Sequence, residues 1–217
     1  MQFRGIIFDL DGTLLNTLDD IGSCANHVLK KRGYPVHEIG EYRYFIGDGA
    51  AMLMQRALPE NNRDPDMVAA CVKEFNAVYQ KNGDSKTVLY SGIPELLDEL
   101  TERKIKKAIL SNKPHELTLR SVENLLARWR FNLVFGQRDH VPRKPDPAGA
   151  LEIAAHLDIV PPEILYFGDS SVDMKTAVSA GMFPVGVLWG YREKDELREN
   201  GARKFVNHPY EILELLF

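Results

Sequence analysis

The sequence contains only two cysteines, Cys24 and Cys71, and they are too far apart for a C-x-x-C motif. We therefore expect neither a structural zinc site nor a disulfide-stabilised fold, and we interpret both residues as thiols of a cytoplasmic protein. No apolar run approaches the ~18 residues that cross a membrane. The apolar residues 5–8 lead directly into acidic residues, which is unlike a secretory signal.

The chain also lacks an excess of basic residues. Lys and Arg number 27 and Asp and Glu number 31, which gives a formal net charge of −4 over 217 residues. A mildly acidic protein neutralises a polyphosphate backbone poorly, so nucleic acid is not expected as a partner. A content of 44% hydrophobic and 27% charged residues favours a globular protein with a sizeable core over a disordered chain. We expect a cytoplasmic monomer or small homo-oligomer that binds neither membranes nor nucleic acid.

From residue 86 onward, short apolar runs alternate with amphipathic helical patterns. This alternation predicts βαβ units, so the expected fold class is α/β: a three-layer α/β/α, Rossmann-like core with a mainly parallel sheet. The candidate strands, including one near the start of the chain, are 6–8, 107–110, 133–135, 164–167, 185–188 and, more weakly, 205–206. The candidate helices of this part are 94–103, 115–124, 147–157, 173–180 and 210–216.

The segment between the first strand and residue 86 has a different pattern. Apolar residues recur at helical spacing over 18–32 and 66–82, and no clear strand is visible between residues 15 and 83. We therefore predict an α/β core made of residues 1–14 and 86–217. A small α-helical domain, residues 15–85, is predicted to be inserted after the first strand.

Polar residues follow several candidate strands, at the positions where ligands bind in open α/β sheets. Asp9 and Asp11 come directly after the first strand, and side-chain alternation assigns them to opposite faces, so we give them different tasks. Asp9 is the candidate nucleophile, and Asp11 is the candidate general acid and base. Gly12 permits a sharp turn and is expected to offer its N–H to a phosphate oxygen. A solvated Asx turn is the alternative interpretation of this segment.

Two further aspartates follow the candidate strand 164–167. Asp169, if it lies beside Asp9, would complete with a backbone carbonyl of the first loop a hard-oxygen site suited to Mg²⁺. Asp173 would then hold one of the water molecules of the ion. The alternative is that both aspartates only cap the following helix and place negative charge in its first turn.

A phosphate among carboxylates needs positive charge and hydrogen-bond donors around it. Lys144 is the candidate cation, and Lys113 is a second contender for the same task. Ser111 and Asn112 are candidate donors to phosphate oxygens. Taken singly, each of these residues has a simpler explanation as a surface lysine or a helix cap. The functional interpretation depends on their joint appearance at strand ends.

Four segments of the chain resemble the signature motifs of the haloacid-dehalogenase-like hydrolases: Asp9-Leu10-Asp11-Gly12-Thr13, Ser111-Asn112, Lys144-Pro145, and Gly168-Asp169 with Asp173. The helical insertion stands where that family places a small cap domain. The resemblance implies Asp9 as nucleophile, Asp11 as acid and base, and Ser111 and Lys144 on the phosphate. It also implies Mg²⁺ as cofactor, held by Asp9, Asp169 and the main-chain carbonyl of Asp11. The dehalogenases themselves are disfavoured, because similar dehalogenases lack the second aspartate of the first motif.

Within that family, the chain looks similar to the phosphoglycolate phosphatases. Residues 45–58 resemble their substrate-specificity loop, and residues 187–202 resemble their C-terminal tail. The resemblance implies hydrolysis of a small phosphorylated metabolite, with 2-phosphoglycolate as the first expectation. A carboxylated substrate needs a cation from the cap, and Arg43 and Arg56 are the candidates, although Arg56 is more readily explained as a solvated helix residue. The candidate specificity residues are Gly47, Asp48, Gly49 and Arg43.

Several alternatives stay open on the sequence alone. A sugar-phosphate phosphatase or a pyrophosphatase would use the same machinery on another substrate. A β-phosphoglucomutase-like phosphotransferase would move a phosphoryl group within a sugar phosphate without releasing phosphate. A phosphate-accepting signalling module would keep the phosphoryl group on Asp9, but a general base at Asp11 speeds its hydrolysis and argues against this role.

Overall fold

The computed structural model describes residues 3–216, and these form two compact units. One unit runs up to Leu15 and resumes at Leu89, and the other is Asn16–Val88. The sequence-based boundaries at 14/15 and 85/86 differ from this division by a few residues. That the two units act as a catalytic core and a cap stays a prediction.

The strands are, in chain order, β1 (Gly5–Phe8), β2 (Leu15–Asn16), β3 (Val88–Leu89), β4 (Lys106–Pro114), β5 (Leu133–Gln137), β6 (Ile164–Gly168), β7 (Phe183–Val187) and β8 (Lys204–Val206). Six of them form one sheet in the order β5-β4-β1-β6-β7-β8, and each pairing within it is parallel. The short strands β2 and β3 pair with each other. Because β1 is central, the residues that follow it lie between the ends of β4 and β6.

The helices are, in chain order, α1 (Leu18–Lys31), α2 (Ala50–Ala57), α3 (Pro65–Asn82), α4 (Ile93–Glu102), α5 (His115–Leu125), α6 (Ala148–Leu157), α7 (Ser171–Ser179) and α8 (Lys194–Glu199). Short 3-10 helices occupy Ile39–Tyr44, Glu60–Asn62, Pro161–Glu163 and Pro209–Leu215. None of the helices in the described part of the chain is both long and apolar enough to cross a membrane.

The side chains of the parallel sheet alternate between two apolar layers. On one face, Phe8 and Phe167 stack with their ring centroids 5.5 Å apart, and they share a buried cluster with residues of α4. On the other face, Ile7 and Tyr166 share a buried cluster with residues of α6 and α7. A parallel sheet covered by helices on both faces is the predicted three-layer α/β/α class, which is thereby confirmed.

The end of β4 was predicted incorrectly, and the difference affects the site. The sequence-based strand ended at residue 110, whereas β4 continues to Pro114, so that Ser111–Lys113 lie within the strand and not in a loop. After an irregularity in register, the pairing with β5 resumes between Pro114 and Gln137. Ser111–Lys113 therefore lie in extended geometry within β4, at the irregularity between its two paired parts.

Other differences arise where short elements carry little periodicity. The helix α7 begins two residues before the predicted start at Asp173, because Ser170 caps it. The predicted helix 210–216 is a 3-10 segment. The helix α8 and the two-residue strands β2 and β3 were not predicted, since six or fewer residues give too weak a pattern.

In the helical unit, Asp20 fastens the segment before β3 to the first turn of α1. Its Oδ1 accepts a bond from Ser85 Oγ at 3.0 Å. Its Oδ2 accepts from the N–H groups of Lys86 and Thr87 at 2.9 and 2.8 Å, and from Thr87 Oγ1 at 2.7 Å. Burial by itself raises the pKa of Asp20, but these hydrogen bonds outweigh it and hold the pKa below its usual value.

We expect Asp20→Asn to loosen this attachment by about 2 kcal/mol, because an amide cannot accept all of these bonds. The measurement is hydrogen exchange at the Lys86 and Thr87 amides, which should become faster. Since the folded pKa is the lower one, the contribution of the carboxylate is present above about pH 4 and is lost as the pH falls through the folded value. The difference between the variant and the wild type should therefore shrink in acid.

Asp19→Asn is the matched control, because it removes the same charge from the same turn of α1. In Asp19→Asn, the hydrogen-exchange rates of the Lys86 and Thr87 amides should stay within about 2-fold of the wild type, which is the difference expected from a charge at a helix end. Equal exchange in Asp20→Asn and Asp19→Asn would contradict the assigned role of Asp20.

Candidate active site

Asp9 directly follows β1, and both its backbone and its side chain are held in place. Its N–H donates to the carbonyl of Phe167 at 2.9 Å, which continues the pairing of β1 with β6. Its Oδ1 accepts a bond from the N–H of Leu10 at 2.7 Å and lies 2.9 Å from Lys144 Nζ. Burial, and next the charge of Asp173, raise the pKa of Asp9 well above its usual range, while Lys144 acts in the opposite direction.

Three buried carboxylates meet at this point. Asp9, Asp169 and Asp173 each offer an oxygen, and these oxygens lie within 4.8 Å of one another. Burial and the charge of Asp173 raise the pKa of Asp169 to about 7. Three carboxylates bring more negative charge than the one ammonium group of Lys144 can offset. A divalent cation would offset the rest, and an all-oxygen donor set is the one that Mg²⁺ prefers. The residues present therefore fit a Mg²⁺ site.

The carboxylate of Asp169 is held by two neighbouring loops. The N–H of Tyr191 donates to its Oδ2 at 2.8 Å, and Thr13 Oγ1 donates to its Oδ1 at 3.5 Å. The indole Nε1 of Trp189 in turn donates to the carbonyl of Thr13 at 2.9 Å. The segment after β7, which resembles the tail of the phosphoglycolate phosphatases, thus positions a carboxylate of the site.

Two glycines allow the backbone of the neighbouring loops to lie close to the side chain of Asp169. Gly12 has φ +86°, and a Cβ on it would overlap Asp169 Oδ2, while a Cβ on Gly190 would overlap Asp169 Cβ. The N–H of Gly12 donates to the carbonyl of Leu15 at 2.8 Å. In this structure the turn itself uses the donor, and the predicted bond from this N–H to a phosphate oxygen stays a prediction. The glycine is needed here for its backbone conformation and lack of a side chain.

Lys144 lies between Asp9 and Asp173. Its Nζ is 2.7 Å from Asp173 Oδ1, and only 3% of its side chain is exposed. Burial lowers the pKa of Lys144, but Asp173 and Asp9 together raise it well above its usual value. Asp173 Oδ2 accepts bonds from Ser170 Oγ at 2.5 Å and from Ser170 N–H at 3.2 Å. Asp173 thus caps α7 and anchors Lys144, whereas the sequence predicted that it would hold a water molecule.

Ser111 and Asn112 serve the same region in different ways. Ser111 is 4% exposed, and its Oγ accepts a bond from the N–H of Lys113 at 3.2 Å, a bond in which its hydroxyl proton takes no part. Asn112 Nδ2 donates to the carbonyl of Lys144 at 3.0 Å. Asn112 thus supports the backbone of Lys144, and the predicted bond from Asn112 to a phosphate oxygen stays a prediction.

Lys113 and Asp11 form a second ion pair. Lys113 Nζ lies 3.0 Å from Asp11 Oδ1, and the two side chains are 6% and 12% exposed. The sequence treated Lys113 as an alternative to Lys144 on the phosphate and the nucleophile. The structure gives the two lysines different partners, Asp9 for Lys144 and Asp11 for Lys113.

The predicted specificity residues lie in the helical unit. Gly47, Asp48 and Gly49 immediately precede α2, and Arg43 lies in the 3-10 helix before them, with its guanidinium 5.6 Å from the ring centroid of Tyr44. Arg56 Nη2 is 2.6 Å from Asp48 Oδ2, and Nη1 donates to the carbonyl of Phe45 at 3.0 Å. The interpretation of Arg56 as a solvated helix residue is wrong, since it fastens this loop. That these residues choose the substrate stays a prediction.

Tyr166 was not singled out from the sequence. It is fully buried on β6, and burial raises its pKa well above the usual value, while Lys144 is the main influence that lowers it. The charges of Asp173 and Asp9 also act on this hydroxyl. A tyrosine within an apolar strand is normally interpreted as core packing. Only the tertiary structure, which places Lys144 near β6, shows that Tyr166 adjoins a charged group of the site.

This chain is similar in sequence to known proteins. A model of the haloacid dehalogenase-like hydrolase family matches residues 6–187. A phosphoglycolate phosphatase of Pectobacterium atrosepticum is 30% identical over 217 residues, which cover 98% of this chain and 92% of that protein. One of Rhodobacter capsulatus is 34% identical over 190 residues, which cover 87% and 85%.

A solved structure of similar fold carries the same name as these relatives. The crystal structure of a predicted phosphoglycolate phosphatase from Haemophilus somnus superposes with a TM-score of 0.91 at 27% identity, covering 100% of this chain and 99% of that one. The family model and the similar proteins together confirm the family indicated by the four sequence motifs. With buried aspartates after β1 and β6 and a family model that matches residues 6–187, this chain belongs to the haloacid dehalogenase-like hydrolases.

Proposed function

We propose that this protein is a Mg²⁺-dependent phosphomonoesterase that hydrolyses a small phosphorylated metabolite through an aspartyl phosphate on Asp9. The observation that carries the proposal is the placement of Asp9 at the end of β1. Its Oδ1 lies 2.9 Å from Lys144 Nζ, and its carboxylate is grouped with those of Asp169 and Asp173. Relatives named phosphoglycolate phosphatase support 2-phosphoglycolate as the substrate.

In the first step, a carboxylate oxygen of Asp9 forms a bond to phosphorus. The bond from phosphorus to the ester oxygen breaks, and its electron pair goes to that oxygen, which takes a proton from Asp11. Lys144 offsets negative charge on Asp9 and on the phosphoryl oxygens. The hydroxyl of Ser111 is a suitable donor to one of these oxygens.

In the second step, a water molecule attacks the phosphorus of the aspartyl phosphate. Asp11, now ionised, takes a proton from this water as the new bond forms. The bond between phosphorus and the Asp9 oxygen breaks, and its electron pair restores the carboxylate. Inorganic phosphate leaves, and Asp11 again holds the proton that it gave up in the first step.

The residues that would hold Mg²⁺ are Asp9, Asp169 and the main-chain carbonyl of Asp11. When bound, the ion offsets the negative charge that a phosphoryl group brings into a cluster of carboxylates. Asp173 contributes by anchoring Lys144. The hard-oxygen donor set and the grouping of the carboxylate oxygens of Asp9, Asp169 and Asp173 within 4.8 Å support this assignment.

The test is release of inorganic phosphate by the purified protein with Mg²⁺ and with EDTA. We expect turnover with Mg²⁺ only, and a higher kcat/KM for 2-phosphoglycolate than for glucose 6-phosphate or pyrophosphate. If Arg43 binds the substrate carboxylate, Arg43→Ala should lower kcat/KM about 10- to 100-fold for 2-phosphoglycolate alone. Rearrangement of a sugar phosphate without phosphate release would instead indicate a phosphotransferase, and absence of turnover on any phosphate ester would refute the proposal.

We also propose that the protein acts in the cytoplasm, as a monomer or small homo-oligomer. Cys24 and Cys71 are both buried free thiols, which suits a reducing compartment. A small phosphorylated metabolite is the only partner that the proposed chemistry requires.

A further inference from the structure

A second buried lysine of the site remains without a task in the proposed mechanism. Lys113 is 8% exposed and lies at the end of β4, one residue before Pro114. Its Nζ makes an ion pair with Asp11 at 3.0 Å, whereas Lys144 pairs with Asp9. We propose that Lys113 is a positioning residue that fixes the carboxylate of Asp11 for proton transfer, an inference that rests on the proposed function.

The backbone of Lys113 is held firmly enough for this role. Its N–H donates to Ser111 Oγ at 3.2 Å, and its carbonyl accepts a bond from Thr118 Oγ1 at 3.1 Å. On the neighbouring strand β5, a Cβ on Gly136 would come within 2.6 Å of the same carbonyl, so the two strands pack closely here. Hydrogen bonds on both sides of Lys113 therefore hold the backbone that carries the ammonium group.

Asp11 needs such support because it lies in a turn and not in the parallel sheet. The turn closes through the bond from the N–H of Gly12 to the carbonyl of Leu15 at 2.8 Å. A general acid must reach the ester oxygen within hydrogen-bond distance, and an error of about 1 Å costs about 100-fold in rate. The ion pair to Lys113 supplies a fixed point for one oxygen of this carboxylate.

Direct contact between Lys113 and the substrate is the competing explanation. The Lys113 side chain is 6% exposed, half the 12% of Asp11, so the carboxylate is the more accessible member of the pair. A residue that binds the substrate would raise KM or lower kcat equally whether or not Asp11 is present, whereas a residue that acts through Asp11 changes kcat and has no effect once Asp11 is lost.

The experiment is a double-mutant cycle of Lys113→Met and Asp11→Asn, with kcat and KM measured on 2-phosphoglycolate or on the best phosphate ester of the wild type. We expect Lys113→Met to lower kcat about 10- to 100-fold with KM within about 3-fold. In the Asp11→Asn background, the same change should cost less than about 2-fold. Lys113→Arg should recover part of the loss, because it restores the positive charge.

Three results would overturn the proposal: equal losses in both backgrounds, a rise in KM with kcat unchanged, or no loss at all. Lys204→Met, at an exposed lysine of β8, is the control for removal of a lysine charge. If Lys113→Met does not fold, Lys113→Gln takes its place under the same criteria. A wild type without turnover refutes the proposed function and this inference together, whereas an active wild type with additive losses refutes this inference alone.

Discussion

Asp9→Asn should reduce phosphate release by at least about 10⁴-fold, because an amide does not attack phosphorus and no other carboxylate can replace it in the same position. Asp169 and Asp173 lie nearby, but the first is held by Tyr191 and Thr13 and the second by Lys144 and Ser170. The measurement is phosphate release at saturating substrate, with acid-quenched samples of the wild type analysed for phosphate bound to the protein.

The loss of activity in Asp9→Asn should not come from unfolding. The substitution removes one negative charge from a buried group of three carboxylates, so the melting temperature in EDTA should be equal to or above that of the wild type. Asp195→Asn, at an exposed aspartate of α8, is the control with the same chemical change and should retain full activity. Residual activity within about 10-fold of the wild type would exclude Asp9 as the nucleophile.

Lys144→Met should harm both activity and stability. It leaves Asp9 and Asp173 without the cation that lies 2.9 and 2.7 Å from their oxygens. Removing one member of a buried ion pair costs about 3–5 kcal/mol. The free energy of unfolding, measured with urea in EDTA, should therefore fall by about this amount. The loss of charge stabilisation at the phosphoryl group should lower kcat about 10²- to 10³-fold.

A second substitution separates the two effects of Lys144→Met. Adding Asp173→Asn removes one of the two uncompensated carboxylates, so stability should recover in part while activity stays low. Lys144→Arg keeps the charge in a larger and differently shaped group, and we expect it to be more stable than Lys144→Met. If Lys144→Met were as stable as the wild type, the buried ion pairs of Lys144 would not contribute to the fold as argued.

The sequence by itself determined the fold class and the family, and it predicted the helical insertion. The parallel sheet follows from apolar runs alternating with amphipathic helices, and this local periodicity requires no knowledge of tertiary contacts. The candidate residues Asp9, Ser111, Lys144 and Asp169 were identified because each directly follows a candidate strand or lies in a recognisable motif. Parallel strands bring such positions to the same edge of a sheet, so their grouping could be anticipated.

The partners of these residues were decided only by the tertiary structure. Lys113 was predicted only as a second contender for the task of Lys144, but β4 continues through it and its ammonium group pairs with Asp11. The turn after β1 uses the N–H of Gly12 internally, and Asn112 supports the backbone of Lys144. A motif states which chemical groups are available, but distances of about 3 Å between residues far apart in sequence depend on strand register and burial, which no local pattern contains.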